Sequence, residues 1–308
     1  MFDIIGKRFW FFLISGVVIL VGIVSLVTFG LKAGIEFSSG ALMTVGFEQE
    51  VDQGGLSQEL ASLGYTNVII QRIGGGDFLI RLPELSGEAK TELEAGLTVG
   101  LGNLEVREFD AVSPMVAAET TRNAAIAVAV AAIGILLYIT WAFHRMPNPF
   151  RYGVCAIVAL VHDAVVALGV FSILGAILDW EINLMFVTGI LAVIGYSVNN
   201  TVVVFDRIRE NLTKDARSDF EVVVNNSLVE TLSRSLNTSL TTLFVVLALL
   251  LFVGVSIQNF AVVLLVGVIV GTYSSLCIAP QLLVAWRKGE WKKFLSWLHL
   301  PADKAERG

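Results

Sequence analysis

Charge is scarce in this sequence. Only 16% of its 308 residues are Asp, Glu, Lys or Arg, while 55% are hydrophobic. An ordinary soluble domain is about one quarter charged. Because a soluble surface needs charge, this composition argues against a soluble enzyme, and the high hydrophobicity excludes a disordered chain. The class that remains is an integral membrane protein.

Cysteine and histidine are also rare, with two and three residues. Cys155 and Cys277 both lie in apolar runs and are interpreted as packing residues. His144, His162 and His299 form no cluster with the cysteines of the kind that binds zinc. We therefore expect no metal and no cofactor. The net charge of −6 argues against a nucleic-acid partner, which would require a basic face.

Long runs without charge predict six membrane spans. A bilayer core needs about 20 apolar residues in a helix, and residues 9–31 supply 23 with no charge. The next spans are predicted at 123–143, 152–178 and 182–205. The stretch 235–286 holds 52 uncharged residues, which fits two further spans with a turn near 254–259.

Basic residues in the flanking loops predict the orientation. With the N-terminus in the cytosol, 15 of the 21 Lys and Arg residues fall on the cytosolic side. Cytosolic loops of membrane proteins carry such an excess. We therefore predict a multi-pass protein of the cytoplasmic (inner) membrane, with both termini cytosolic and residues 32–122 extracytoplasmic.

The segment 32–122 predicts a separate soluble domain with 14 acidic and 6 basic residues. Alternating and helical patterns occur along it in the order strand, helix, strand, strand, helix, strand, and Gly74–Asp77 is interpreted as the hairpin turn. That order predicts a ferredoxin-like α+β domain. It contains no nucleophile, metal or phosphate motif, so we expect a binding or lever module rather than an enzyme.

Four regions follow from these patterns. The range 1–31 is predicted to hold the N-terminus and first span, and 32–122 the extracytoplasmic domain. The range 123–286 is predicted to form a bundle of five helices, and 287–308 a basic cytosolic tail. Within the bundle, residues 206–234 have helical amphipathic spacing. This segment is interpreted either as a helix along the membrane surface or as a plain connection between spans four and five.

Asp163 is the main anomaly, because it lies near the middle of the third span. A charged Asp there costs about 2.5–3.5 kcal/mol on insertion scales. Either a partner or a wet cavity offsets this cost, or the carboxyl stays protonated. Both arrangements suit a proton-carrying group, and the alternative is a carboxyl bonded to a neighbouring helix without a transport role. His162 points about 100° away around the helix, which favours a packed neutral imidazole over a relay.

Other polar residues occur in two further spans. The adjacent amides Asn199 and Asn200 need partners from another helix. Arg234, Thr238 and Thr241 share one face of the fifth span at positions i, i+4 and i+7. These groups are candidates to line a hydrated path on the cytoplasmic half, although Arg234 is also placed to reach lipid headgroups.

Several motifs resemble the SecD/SecF family of bacterial protein-export membrane proteins, on its SecF side. The segment 34–40 is similar to the family's Gly-x-Asp-Phe-x-Gly-Gly, and 195–211 is nearly its long signature. His162–Asp163 matches the His-Asp of its third span. The resemblance also covers 112–114, 234–239 and 267–275. The matching motif residues are Gly34, Glu36, Phe37, Gly40, His162, Asn199, Asp206, Arg207, Arg209 and Glu210.

The resemblance implies a fold and a function. The fold is half of a transporter of the RND (resistance-nodulation-division) superfamily, and the partner is SecD. The pair associates with the SecYEG channel and uses the proton motive force to draw preproteins outward through movement of its outer domains. The proton-route candidates are Asp163, Arg234, Asn200, Thr238 and Thr241. Asn200 stands where the family usually has Asp and cannot ionise, so the relay rests on Asp163, a SecD acid and water.

Two alternatives remain. One is a scaffold subunit of the translocon that conducts no protons, which Asn200 favours. The other is a small-molecule exporter of the RND type. An exporter needs a roomy outer pocket lined with aromatic residues, and the few aromatics of segment 32–122 lie where a core would use them. An intramembrane protease is disfavoured because no paired acids or Ser/His pair were found. The sequence thus predicts no enzyme.

Overall fold

The computed structural model describes residues 3–66, 68–214, 218–252 and 255–290. They form two compact units. A sheet unit comprises residues 32–127 and 181–184, and a helical unit comprises the ranges 1–31, 128–180 and 185–308. From residue 291 on, the predicted basic tail lies outside the described residues.

The sheet unit has the predicted ferredoxin-like arrangement. Its four antiparallel strands lie in the order β2-β3-β1-β4, with two helices, α3 and α4, that complete the predicted order of elements. The elements are α2 (Ile35–Ser38), β1 (Gly40–Phe47), α3 (Gln53–Ser62), β2 (Ile69–Arg72), β3 (Phe78–Leu82), α4 (Gly87–Leu101) and β4 (Leu104–Val112).

Local sequence explains where the elements of the sheet unit begin and end. The Asp52 side chain caps α3 by accepting from the amide of Gly54, and Ser86 caps α4 by accepting from the amide of Ala89. Gly102 ends α4 with φ +91°. The predicted turn between β2 and β3 is a short 3-10 turn in which Gly75 has φ +85°, a backbone conformation that glycine adopts without strain.

The core of the sheet unit is apolar. Alternate strand residues point to one side of the sheet, and helix residues four apart cover them. The largest fully buried side chains here are Phe78, Met43, Ile80, Leu56, Leu60, Leu93 and Leu97. Such a core is typical of an independently stable domain.

The helical unit consists of long helices. They are α1 (Arg8–Phe29), α5 (Pro114–Ala142), α6 (Pro149–Leu178), α7 (Leu184–Lys214), α8 (Phe220–Phe252), α9 (Val255–Cys277) and α10 (Ala279–Lys288). Within the described residues, six helical stretches are long and apolar enough to cross a membrane, as predicted. The sixth runs over Ile257–Lys288, and Pro280 in the first turn of α10 accompanies the break between α9 and α10.

Several helices are longer than the uncharged runs. Helix α5 begins at Pro114, nine residues before the uncharged stretch, and carries Glu119 and Arg122 in its early turns. The amphipathic segment 206–234 forms no separate helix in its described part, because its residues belong to the end of α7 and the start of α8. Backbone hydrogen bonding continues through charged residues, so hydropathy marks the span but not the helix end.

Helices α1 and α6 pack against each other in parallel with a constant register. Ser15 meets His162 and Ser25 meets Ser172, both pairs 147 residues apart. Between them Gly22 faces Gly169, where a Cβ on Gly169 would lie 2.5 Å from the Gly22 Cα. Small residues permit this close approach, which is typical of helix packing in membranes.

Candidate functional site

The carboxylate of Asp163 is the centre of a buried polar cluster in the helical unit. Asp163 is 2% exposed and is the fifteenth of the 30 residues of α6. Its Oδ2 accepts hydrogen bonds from the hydroxyls of Ser197 on α7 at 2.6 Å and Ser274 on α9 at 2.8 Å. Hydrogen bonds to a charged group are the strong ones. The two hydroxyls satisfy the hydrogen-bonding capacity of Oδ2 in this buried site.

His162 completes the coordination of this carboxyl group. Its Nδ1 lies 3.0 Å from the Asp163 Oδ1. The sequence favoured a packed neutral imidazole that points away from Asp163. The structure buries the ring but brings it to Asp163, with both ring nitrogens in hydrogen-bond contacts. The ring reaches back along α6 although the two Cα–Cβ bonds diverge. The contact lets one proton be shared between Oδ1 and Nδ1.

A chain of hydrogen bonds continues from His162 to the first span. The His162 Nε2 lies 3.1 Å from the Ser15 hydroxyl. The Ser15 hydroxyl lies 3.3 Å from that of Tyr273, which donates to the Phe11 carbonyl at 2.9 Å. The rings of His162 and Tyr273 are stacked with centroids 6.2 Å apart. One chain of hydrogen bonds thus connects the three helices α1, α6 and α9.

A second polar junction joins α7, α8 and α9. Ser239 accepts from the Tyr196 hydroxyl at 2.8 Å and from the Thr272 hydroxyl at 2.6 Å, and its own hydroxyl donates to the Ser235 carbonyl. The Thr272 hydroxyl also lies 2.6 Å from the Val268 carbonyl of its own helix. The junction therefore stabilises the packing of the three helices.

Three of the predicted proton-route residues lie elsewhere on the helical unit. Arg234, Thr238 and Thr241 are on the exposed face of α8. The Thr238 hydroxyl donates to the Arg234 carbonyl and the Thr241 hydroxyl to the Thr238 carbonyl. Within the described parts of the chain, the Arg234 guanidinium makes no hydrogen bond or ion pair. The isolated chain does not bring these three residues to Asp163.

The two adjacent amides of α7 have different surroundings. Asn199 is exposed, while Asn200 is 4% exposed and lies one turn beyond Ser197. The Nδ2 of Asn200 has no hydrogen-bond partner among the described residues. A buried amide donor of this kind is costly unless it meets an acceptor. It therefore marks a place where the helical unit leaves a polar group unsatisfied.

The charged residues of the long signature connect α7 to α8. Arg207 contacts Glu230 and Glu210, each at 2.6 Å. Asp206 pairs with Arg209 at 2.5 Å, and Lys214 pairs with Glu210 at 2.6 Å. These pairs are largely exposed, and such pairs are worth little individually. Of these pairs, Arg207–Glu230 joins α7 to α8, and the other three lie within α7.

The first motif, residues 34–40, lies at the start of the sheet unit. The amide of Gly34 donates to the Ile182 carbonyl at 2.8 Å, and the Ile182 amide donates to the Lys32 carbonyl at 2.7 Å. A Cβ at position 34 would lie 3.0 Å from the Ile182 oxygen. Glu36 and Phe37 are in the single helical turn α2. The loop between α6 and α7 is thereby bonded to the segment that follows α1.

The residues near this motif explain two glycines of the family pattern. Gly40 has φ +126°, and a Cβ there would lie 2.8 Å from the Leu82 oxygen. Ser39 occupies the neighbouring glycine position with φ +64°, where a side chain is strained. Arg81 forms an ion pair with Glu181. Burial raises the pKa of the Glu181 carboxyl, while Arg81 opposes that rise.

Sequence reasoning missed Ser15, Tyr273 and Ser274. Each is a hydroxyl-bearing residue in an otherwise apolar run. Tyr273, Ser274 and Ser275 are three consecutive hydroxyl-bearing residues in the last span, which is a signal that was present in the sequence. Single serines occur often in spans because they satisfy their own helix backbone, so only the fold distinguishes Ser15 from the others.

Comparison with known proteins gives consistent results. Residues 94–289 match the family model described as "Protein export membrane protein SecD/SecF, C-terminal". The chain is 42% identical to the protein translocase subunit SecF of Thermobaculum terrenum over 93% of this chain and 94% of that protein. It is 37% identical to the protein translocase subunit SecDF of Bacillus subtilis, of which it covers 39%.

The fold is similar to a solved structure of a translocon-associated membrane protein. The crystal structure of SecDF from Thermus thermophilus matches 93% of this chain with a TM-score of 0.83 at 33% identity. A crystal structure of SecDF in a super-membrane-facing form matches 96% with a TM-score of 0.65. The chain spans about two fifths of each of these structures. It belongs to the SecF family and is half of an RND-type transporter with a ferredoxin-like domain.

Proposed function

We propose that this chain is the SecF subunit of a Sec preprotein translocase, which pairs with SecD and uses the proton motive force to enhance protein export. The observation that carries the proposal is the buried Asp163–His162 pair in a chain whose relatives are protein translocase subunits. An intramembrane acid is functional by default. The pair can hold a proton in the middle of α6 without a net charge.

The proton motive force supplies enough energy for such a role. Each elementary charge that crosses 100 mV releases about 2.3 kcal/mol. That energy biases an equilibrium between two conformations of modest free-energy difference about fiftyfold. The sheet unit, which is joined in sequence to α1, α5, α6 and α7, is the lever that we propose to move.

A SecD partner is supported by the exposed face of α8. Arg234, Asn237, Thr238 and Thr241 are all exposed there, although polar groups facing lipid are unfavourable. Adjacent apolar residues such as Phe244 and Val245 are also exposed. A partner helix with an acidic side chain would cover this face and pair with Arg234. The SecDF relatives are longer chains in which this chain matches only 39%.

The buried amide of Asn200 fits the same proposal. Asn200 cannot carry a proton, but its unpartnered Nδ2 can donate to a carboxylate or a water. We propose that the acid usual at this position in the family is replaced by a SecD acid. The relay then runs through Asp163, water and the partner, and needs no second acid in this chain.

We propose the topology on the basis of charge. Both termini and the α7–α8 connection are cytosolic, and residues 32–122 are extracytoplasmic, in the inner membrane. The regions 1–31, 32–122, 123–286 and 287–308 are the proposed functional divisions. The cytosolic side then carries most Lys and Arg residues. SecYEG and the translocating preprotein are the further proposed partners.

The direct test is proton-driven export in inverted membrane vesicles. The Asp163→Asn variant keeps the shape of the side chain and removes its proton site, so gradient-dependent stimulation should fall to the level without a gradient. The matched control is Ser172→Ala, which removes a buried hydrogen bond of the same helix α6. Unchanged stimulation in Asp163→Asn would remove the acid from the mechanism.

The first experiment determines which proteins co-purify with this chain. Solubilised native membrane should yield this chain together with SecD and the translocation channel, identified by mass spectrometry. The Arg234→Ala variant should recover less SecD than Asn199→Ala, a second exposed polar position on another helix. Recovery of this chain alone as a homo-oligomer would contradict the SecD partnership and favour an independent transporter.

A scaffold role is the second candidate, because Asn200 cannot ionise. It predicts that the complex assembles and that export is enhanced without proton flux. Proton flux into vesicles reconstituted with and without the partner separates the two functions. Flux that needs the partner and is lost in Asp163→Asn would exclude the scaffold.

A further inference from the structure

The hydrogen-bond chain from Asp163 to the first span links the proton positions of its members to one another. The Phe11 carbonyl can only accept, so the Tyr273 hydroxyl donates to it. The Tyr273 oxygen is then free to accept from Ser15. When the single hydroxyl proton of Ser15 points to Tyr273, Ser15 accepts from the His162 Nε2–H.

This order of donors and acceptors corresponds to one protonation state of the His162–Asp163 pair. With a proton on Nε2, one more proton lies between Nδ1 and the Asp163 Oδ1, which are 3.0 Å apart. The Oδ2 is occupied by two hydroxyl donors, Ser197 and Ser274. This order of donors and acceptors is that of the proton-loaded pair, which as a whole has no net charge.

Loss of one proton changes the chain. The proton passes to water, and the imidazole keeps its hydrogen on Nδ1, where it donates to the ionised Asp163 carboxylate. Nε2 then has a lone pair and must accept, and the Ser15 hydroxyl is the donor within reach. The Ser15 proton rotates to His162. Neither hydroxyl then donates a hydrogen bond across the Ser15–Tyr273 contact, unless Tyr273 stops donating to the Phe11 carbonyl and donates to Ser15 instead.

We propose that Ser15 is the positioning residue that reports the proton occupancy of the His162–Asp163 pair to the first span, through Tyr273. When the pair is loaded, Tyr273 makes two hydrogen bonds to α1, one to the Phe11 carbonyl and one to Ser15. When the pair is unloaded, Tyr273 makes only one. Helix α1 leads directly into the sheet unit along the chain, at residues 31 and 32. The proposal rests on the proposed function, since it names how the proton site acts on the segment before the lever.

The packing of α1 on α6 suits this role. The contacts Ser15–His162, Gly22–Gly169 and Ser25–Ser172 keep one register along both helices. The glycines and serines let the two helices approach closely, and the hydrogen bonds Ser15–His162 and Ser25–Ser172 cross the seam. Ser15 is the residue of this seam that contacts the His162–Asp163 pair.

Few other charges act on the pair. The side chains that contact it are Ser15 from α1, Ser197 from α7, and Ser274 from α9, with Tyr273 stacked on the imidazole. Helix α10 also packs against α6; its buried polar residue is the neutral Gln281, and its basic residues Arg287 and Lys288 lie in its last turn. Besides the pair itself, only Tyr273 among these contacts is titratable.

The test is infrared difference spectroscopy of the full chain, as purified from membranes and reconstituted in lipid, during pH titration. The carbonyl band of protonated Asp163 is assigned by its loss in Asp163→Asn. The phenol band of Tyr273 is assigned by its loss in Tyr273→Phe, a variant that keeps the stacked ring. In the native chain both bands should change with one midpoint.

Ser15→Ala should separate the two signals. The Asp163 band still titrates, while the response of the Tyr273 band is lost. Ser25→Ala is the matched control, because it removes a buried hydroxyl from the same seam and leaves both responses intact. If Ser15→Ala fails to fold, Tyr273→Phe still shows whether Asp163 titrates when the hydrogen-bond chain to α1 is broken.

Three results would overturn the proposal. The Tyr273 band could follow Asp163 in Ser15→Ala, it could stay silent in the native chain while Asp163 titrates, or its response could be lost equally in Ser25→Ala. Each of these leaves proton-driven export standing. Absence of any titrating Asp163 band would instead contradict the proposed function as well, which distinguishes the two failures.

Discussion

The sheet unit and the helical unit place their polar groups in opposite ways. Among the described residues of the sheet unit, Thr44 is the only buried polar side chain, and its core is apolar. The helical unit buries Asp163, His162, Asn200 and a series of serines and threonines. Water satisfies the surface of one unit, whereas lipid cannot satisfy that of the other. Polar chemistry in the helical unit is therefore internal and held by neighbouring helices.

The largest expected effect lies in the apolar core. Phe78→Ala removes a fully buried ring from β3 and should cost about 3–5 kcal/mol of sheet-unit stability. Val99→Ala on the exposed side of α4 is the control and should change little. Hydrogen exchange should show opening confined to the sheet unit, and equal opening of α6 and α7 would contradict the division into two units.

The polar core should respond to loss of a single donor. Ser197→Ala leaves the Asp163 Oδ2 with one hydroxyl instead of two and should cost about 1–3 kcal/mol, because a buried acceptor loses a donor. Thermal unfolding in detergent measures this. Ser172→Ala breaks the Ser25–Ser172 hydroxyl bond and should cost about half as much, so an equal or larger loss there would contradict the special importance of the Asp163 cluster.

The seam between α1 and α6 is a third point of comparison. Gly169→Ala places a Cβ 2.5 Å from the Gly22 Cα and should cost about 1–3 kcal/mol by overpacking. Gly16→Ala on α1 meets nothing within 4 Å and should be neutral or slightly stabilising, because alanine favours helix. The melting temperatures of both variants are compared in the same detergent. Equal values would mean that the α1–α6 contact accommodates the added methyl group without loss of stability.

The smallest effect concerns the ionisable contact of the sheet unit. Burial raises the pKa of Glu181 above its unfolded value of about 4.3, so the folded state binds that proton more tightly. Stability should fall as pH rises from the unfolded pKa through the folded one, by less than about 1 kcal/mol. Glu181→Gln should abolish this slope in a pH series of thermal melts, and a slope that persists would assign it to another group.

Much of the fold was predictable from local sequence. The hydropathy runs placed six spans because burial in lipid requires about 20 apolar residues. The alternating strands and the glycine turn at 74–76 placed the ferredoxin-like sheet. Helix ends were less predictable, since α7 continues through Asp206–Lys214 and α5 starts at Pro114. Charges permit a helix to continue beyond the apolar run.

The candidate site was predictable only in part. Asp163 was identifiable because a carboxyl in a span is costly, and the Asn199–Asn200 pair because amides there need partners. The different surroundings of the two amides, and the exposure of Arg234, Thr238 and Thr241, follow from helix rotation within the bundle. Sequence spacing gives the residues that share a face of one helix but not the neighbour that this face meets.

The sequence by itself determined the membrane class, the number of spans, the α+β domain and the acid at position 163, because each depends on composition or on periodicity within one element. The tertiary structure alone decided that His162, Ser15 and Tyr273 join Asp163. These residues lie on three helices and are up to 258 positions apart. Hydrogen bonds of about 3 Å between distant segments depend on packing, for which a single sequence carries no local signal.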